Sequence, residues 1–263
     1  MRICVGRYTL RQQNFIYVIL IILILLCSPI FSMTKDEGIS FFVQANELYK
    51  KGDYKKAIEI YEKIINSGFH NGHIYYNLGN SYFRLGKIGK SILNYRRALI
   101  LLPRDSDLKK NLDYARSEIK DKIELGSYTQ IFQRFFFWYY SFNLIELIWI
   151  FLIFNLLFWI FLTIFIYKKN EAFKWSLGIT FVISIILFFS CIFKIMDQYY
   201  QYKGVIISQE VEVQSGNDKN SVVLFKLHEG SEVNISKIQN DWYQIELPDG
   251  KRGWLQKMAI DII

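Results

Sequence analysis

Histidine and cysteine are the side chains most often recruited to metal and proton-transfer work, and this chain of 263 residues has three of each. His70 and His73 stand three apart in Phe69-His70-Asn71-Gly72-His73, and His228 is far along the chain. A structural zinc site takes four ligands and a catalytic one takes three plus water. No Cys or Glu accompanies the histidines at ligand spacing, so no metal site is expected. Cys4, Cys27 and Cys191 all fall in or beside hydrophobic stretches, which leaves neither a disulfide framework nor a cysteine zinc site. A phosphate-cradling glycine loop is missing, and so is a GxSxG nucleophile elbow. No carboxylate pair stands apart from solvated helix faces. The pattern predicts no enzyme, no catalytic residue and no cofactor.

The composition narrows the class further. Hydrophobic residues make up 52% and charged residues 21%, with 22 Phe and three Pro. Such a chain buries apolar surface too readily to be disordered. The totals predict an integral membrane protein carrying smaller soluble modules. The net charge of +8 is spread as +3 over residues 1–32, +5 over 33–130, +3 over 131–203 and −3 over 204–263. A nucleic-acid binder concentrates its base on one module; here acid and base alternate, so nucleic acid is not an expected partner.

Three hydrophobic segments must position whatever the soluble parts do. The first, Phe15 to Leu26, follows Arg2, Arg7 and Arg11 and ends in Cys27-Ser28-Pro29-Ile30-Phe31-Ser32. A basic start, a short apolar core and a small residue at Ser32 read residues 1–32 as a cleaved signal peptide, or else an N-terminal anchor. Residues 144–167 and 175–195 are each long enough to span a bilayer. Aromatic residues flank them, Phe135 to Tyr140 within an interfacial segment 132–143 and Tyr199, Tyr200 and Tyr202 after the second span. Glu146 sits near the start of the first span, where it reaches the interface. The loop 168–174 holds Lys168, Lys169 and Lys174, and short basic loops stay cytoplasmic. The N-terminal arginines hold the N-terminus on the cytoplasmic side as well, and both clues place residues 33–140 and 204–263 on the extracytoplasmic side.

Between Gly38 and Arg116 the sequence repeats with a period of 34: Gly52 recurs as Gly86, Ala57 as Ser91, Ile58 as Ile92 and Tyr61 as Tyr95. With Leu78-Gly79, Tyr82, Ala98 and Pro103 in the second unit, this resembles the tetratricopeptide repeat, a pair of antiparallel helices. Units 38–71 and 72–105 and a capping helix to residue 119 are expected, because one helix pair cannot bury its apolar face alone. The resemblance places Phe42, Asn46, Tyr49 and Lys50 on a concave groove, with His73, Tyr76, Asn77, Asn80, Phe83 and Arg84 from the second unit. Asn amides there can pair with an extended peptide backbone; equally, Asn77 and Asn80 can serve to bridge helices. The chaperone-type carboxylate clamp is not matched, since Phe42 and Asp107 stand where basic residues are needed.

From Gly204 onward short alternating runs predict five strands, with Pro248-Asp249-Gly250-Lys251 as a hairpin turn. The order Val211 to Gly216, Leu227 to Gly230, Asp241-Trp242 and Asp249 to Trp254 resembles the bacterial SH3-like domain over 204–263. That resemblance implies a small barrel. Trp242 and Trp254 are its surface candidates, although core packing is the simpler role for tryptophan.

The expected fold class is therefore mainly α with a small all-β module: tetratricopeptide helix hairpins, a transmembrane helix hairpin and a C-terminal SH3-like β-barrel. That order is similar to the BatE family of the Bacteroides aerotolerance operon type. The resemblance implies protein partners, namely membrane-anchored von Willebrand factor A proteins and other Bat proteins, with a MoxR-type ATPase in the cytoplasm. It also implies the bacterial inner membrane as location, with both soluble modules periplasmic, and a part in stress tolerance. Two other readings stay open: a peptidoglycan-binding sensor acting through the SH3-like module, and a transporter subunit, for which the spans offer few inward polar groups.

Overall fold

The computed structural model describes residues 34–121, 134–200, 202–218 and 220–263. The expected signal segment 1–32 and residues 132–133 of the interfacial segment lie outside them.

Five helices build the first module: α1 (Lys35–Lys50), α2 (Tyr54–Asn66), α3 (Gly72–Arg84), α4 (Ile88–Leu101) and α5 (Ser106–Ser117). Local chemistry sets their ends. Thr34 accepts from Glu37 N while the Glu37 carboxylate accepts from Thr34 N, a capping box that stabilises α1 by about 1 kcal/mol. Asp105 accepts from the amides of Asp107 and Leu108 at the start of α5. Between α1 and α2, and again between α3 and α4, the chain turns through Gly52 and Gly86 at φ of 82° and 72°, which other residues rarely adopt. Ala45, Ala57, Tyr61, Ile64 and Leu78 form a core between the repeats, and Ile92, Tyr95, Ala98, Leu108 and Leu112 form a second beneath α5. Gly79 is a close-approach site, since a Cβ there would stand 2.6 Å from the Tyr95 ring.

A short helix α6 (Phe137–Ser141) leads into two long apolar ones, α7 (Leu144–Lys168) and α8 (Glu171–Tyr200). Both are long and apolar enough to cross a membrane. They pack antiparallel, with Phe151 against Phe188 and Phe158 against Phe181. The loop expected over 168–174 is shorter: Lys169 turns the chain in the left-handed region (φ 43°), Asn170 accepts from Ala172 N, and α8 has begun by Glu171. Lys194 Nζ closes the other end by donating to the carbonyls of Tyr139 and Phe142, which α6 leaves unpaired.

The C-terminal module departs from the expected five-stranded barrel. Its strands are β1 (Tyr202–Ile206), β2 (Glu210–Gln214), β3 (Val223–His228), β4 (Glu232–Gln239), β5 (Trp242–Glu246), β6 (Arg252–Gln256) and β7 (Ile260–Ile262), with a 3₁₀ turn at Lys257–Ala259. They form one antiparallel sheet in the order β3-β2-β6-β5-β4-β1-β7, curled over Ile206, Val213, Leu227, Ile245 and Leu255 but not closed. The hairpin turn at Pro248 to Lys251 is as expected, with Gly250 at φ 84° and Lys251 N donating to Asp249 Oδ1. The repeat module meets each outer edge at one end. Arg97 donates to Ile262 O on the outer side of β7, and Asp121 Oδ2 accepts from His228 N on the outer side of β3.

The two soluble modules therefore share an interface. Val205 of β1 is buried in the same core as Ile92, Leu108 and Leu112. Gly89 N, one of the unpaired amides at the start of α4, donates to Glu229 Oε1 at 2.8 Å. Glu232 receives Arg116 at 2.7 Å and has Arg96 Nε at 3.1 Å, off the line of a hydrogen bond. Asp121 additionally accepts from Ser231 Oγ and lies 2.8 Å from His228 Nδ1, whose Nε2 faces Lys120. The clasp uses one helix edge and one sheet end, both brought there by elements far apart in the chain.

Candidate functional site

On α1, α3 and α5 a stripe of residues faces away from the repeat cores, and its centre is a hydrogen-bonded ladder of asparagines. Asn46 Oδ1 accepts from Tyr61 Oη at 2.6 Å and from Asn77 Nδ2 at 2.8 Å. One repeat later Asn80 Oδ1 accepts from Tyr95 Oη at 2.7 Å and Asn111 Nδ2 at 3.1 Å, and Asn111 Nδ2 also donates to Tyr76 Oη at 2.9 Å. The two triads are related by the 34-residue period at every member.

This arrangement has a chemical consequence. Burial pushes the phenols of Tyr61 and Tyr95 well above the ordinary tyrosine value, so both stay protonated donors. With two donors on each, the oxygens of Asn46 and Asn80 are satisfied, and their Nδ2 groups are held as oriented donors along the stripe. Of the two roles open to these asparagines, both Asn77 and Asn80 bridge helices, and the bridging leaves donors in fixed directions.

The other sequence-predicted residues fall into three groups. Tyr76 and Phe83 are half-buried and join the ladder's wall, Tyr76 beside Tyr95 and Phe83 with its ring 5.5 Å from that of Tyr114. Phe42 and Tyr49 are half-buried against the first repeat core, Phe42 tilted on Tyr61 and Tyr49 edge-on to Tyr54. His73, Lys50 and Arg84 are exposed, with Lys50 paired to Glu47 at 3.1 Å. Asp107, at a clamp position, pairs with Lys110 instead. Ile39 and Val43, 54% and 53% exposed, extend the stripe at its first-repeat end with apolar surface, as Tyr114 does at the other. Asn111 and Tyr114 were not anticipated, although adding 34 to Asn77 and Asn80 reaches them.

Elsewhere the expected chemistry is structural. His70 Nδ1 lies 2.6 Å from Tyr75 Oη with the rings stacked, and among the described residues no cluster of His, Cys, Asp or Glu can hold a metal. Trp242 and Trp254 are half-buried and outside the sheet's core. Gln244 opposes Trp254 and Gln256 opposes Trp242, so the two indoles share the outward face of β5 and β6, where core packing had been the simpler expectation.

Residues 72–105 match a tetratricopeptide repeat model, and residues 40–67 match a second one. None of the curated proteins compared with the chain matches it. The helical module is thus built of tetratricopeptide repeats, an architecture that serves protein–protein interaction.

Proposed function

We propose that this chain is a membrane-anchored scaffold whose repeat groove holds an extended segment of a partner protein. The observation that carries the reading is the ladder itself: two oriented Asn amides, one repeat apart, flanked by Phe83, Tyr114, Ile39 and Val43. Backbone carbonyls of an extended peptide suit the amides, and apolar side chains suit the flanks. The hairpin α7–α8 returns the chain to the end it left. The clasp then holds both soluble modules together, which fits a placement of both on one side, the periplasmic face of a bacterial inner membrane. The order of modules supports a BatE-like role, with von Willebrand factor A membrane proteins and other Bat proteins as partners and stress tolerance as context.

The test is in-cell crosslinking and tagged purification of the full chain beside an Asn46→Ala/Asn80→Ala variant. Recovery of the same membrane proteins by both forms would remove the groove from the account. Loss of a defined partner from the variant alone would identify it. A second reading rests on the outward pair Trp242 and Trp254, an aromatic surface of the kind that takes cell-wall glycan or peptide. Binding of muropeptides that survives the groove substitutions and fails in Trp254→Ala would favour it.

A further inference from the structure

A second polar cleft lies on the opposite side of the repeats, where α2 and α4 diverge over α3 and β7 closes one end. Its volume is about 270 Å³, and its wall includes Glu62, Tyr82, Lys90, Asn94, Arg97 and Asp261. Lys90 and Arg97 are seven residues apart on α4, two turns along one face. Among the described residues neither cation and neither carboxylate, Glu62 or Asp261, forms an ion pair. The neighbouring seam is different: there Arg116 and Arg96 both meet Glu232. Other contacts only orient the four groups. Tyr82 Oη donates to Glu62, Lys90 Nζ stands 5.3 Å over the Tyr82 ring, and one Arg97 nitrogen donates to Ile262 O. Tyr82 is 4% exposed; burial first, then the carboxylates of Glu62 and Asp261, raise its pKa, while Arg97 opposes them, so all three groups converge on it. Asn94, 3% exposed, donates to Lys90 O and leaves its side-chain oxygen without a partner in the cleft wall.

We infer that this cleft is a binding site for a small zwitterion, an amino acid or dipeptide carrying one carboxylate and one ammonium group. Two cations and two anions, partly withdrawn from water and unpaired, are costly until opposite charges meet them. A ligand of one sign would satisfy half of them and face the like charges of the rest. The carboxylate goes to Lys90 and Arg97, and the ammonium to Glu62 and Asp261. The volume is below the roughly 300 Å³ at which pockets begin to take drug-sized ligands, and equals the liquid volume of about nine waters, so the ligand is small. Because Asp261 comes from the sheet and the other charges from the repeats, occupancy tightens the clasp.

The test is calorimetric titration of the full chain in detergent with alanyl-alanine and glycyl-glycine, beside N-acetylalanine and alanine amide, each of which keeps one of the two charges. The zwitterions are expected to bind at least tenfold more tightly than either single-charge analogue. Lys90→Gln and Asp261→Asn are each expected to weaken that binding about tenfold, the loss of one charged contact, while leaving the unliganded melting temperature unchanged. Equal binding of the four probes, absence of heat up to about 10 mM (the weak end of specific binding), or binding indifferent to both substitutions would overturn the assignment.

Discussion

Replacing Gly89 by alanine sets local and tertiary forces against each other. Gly89 is the second residue of α4 and takes a normal helical conformation, so alanine would favour the helix by up to about 1 kcal/mol. In the docked protein, however, the new Cβ would stand 2.4 Å from Ile206 O, 2.7 Å from Glu229 Cγ and 3.2 Å from Gly230 N. Two of those three neighbours are backbone and cannot swing away. Overpacking costs about 1–3 kcal/mol, and moving the sheet off breaks the hydrogen bond from Gly89 N to the Glu229 carboxylate, about 1.5–3 kcal/mol. The strain and the lost bond are alternative outcomes of one clash and the helix preference acts in both states, so the net is about 1–3 kcal/mol against docking, or roughly 5- to 160-fold in the docked equilibrium. Hydrogen exchange at single-residue resolution reads this directly. The His228 amide points off the outer edge of β3 and is held by Asp121, so it reports docking through a bond that Gly89 does not make. Gly89→Ala should speed its exchange strongly while amides in the middle of α4 keep or gain protection. An unchanged His228 rate, or a melting temperature that rises for the full chain, would show that the helix preference outweighs the contact and that the modules are not clasped in solution.

Other perturbations follow from the same contacts. Tyr95→Phe removes one of two donors on Asn80 and should cost about 1 kcal/mol of repeat stability, read as a lower urea midpoint, and should weaken partner capture at the groove. At Asp121 burial works to raise the carboxyl pKa, but hydrogen bonds from Ser231 and His228 outweigh it and leave the value below the usual 3.8. A depressed carboxylate stabilises the fold above its unfolded value and loses that contribution as pH falls through the folded one. Protection of the His228 amide should therefore hold from neutrality to near pH 3.8 and fall below it, and Asp121→Asn should abolish that acid step. The pair Arg104–Glu146, which ties the end of the second repeat to the start of α7, is 55% and 33% exposed on its two sides. Arg104→Ala should cost only about 0.2–1 kcal/mol in thermal stability, while spin-label distances between α5 and α7 should broaden.

What could be read from the residues follows from how each signal is written along the chain. The repeats were legible because Gly52 and Gly86, Tyr61 and Tyr95, and Asn46 and Asn80 recur at one interval, and each pair performs the same job in its own unit. The two long apolar helices were legible as runs of about 20 consecutive apolar residues, and the β5–β6 turn because Pro fixes φ and Gly admits a positive one. These are short-range constraints. The ladder's third rung, Asn111, was within reach of the same period and was hidden by treating α5 as a cap only.

The clasp and the open sheet were decided elsewhere. Gly89 and Glu229 are 140 residues apart, and Asp121 and His228 are 107 apart, so no spacing rule joins them. Alternation in β3 and β7 says which side chains face inward, but it does not say whether an edge meets another strand, a side chain or water. Here Arg97 and Asp121 each take one outward backbone group of those two edges, and the sheet that local pattern suggested would close into a barrel stays open. The charges of the cleft were visible as solvated residues on separate elements; only the approach of β7 to α2 and α4 sets Asp261 beside Lys90 and Arg97. Local sequence determines which elements form and which faces are apolar. Which faces meet depends on the fit of surfaces folded independently, and that is settled only when both are present in three dimensions.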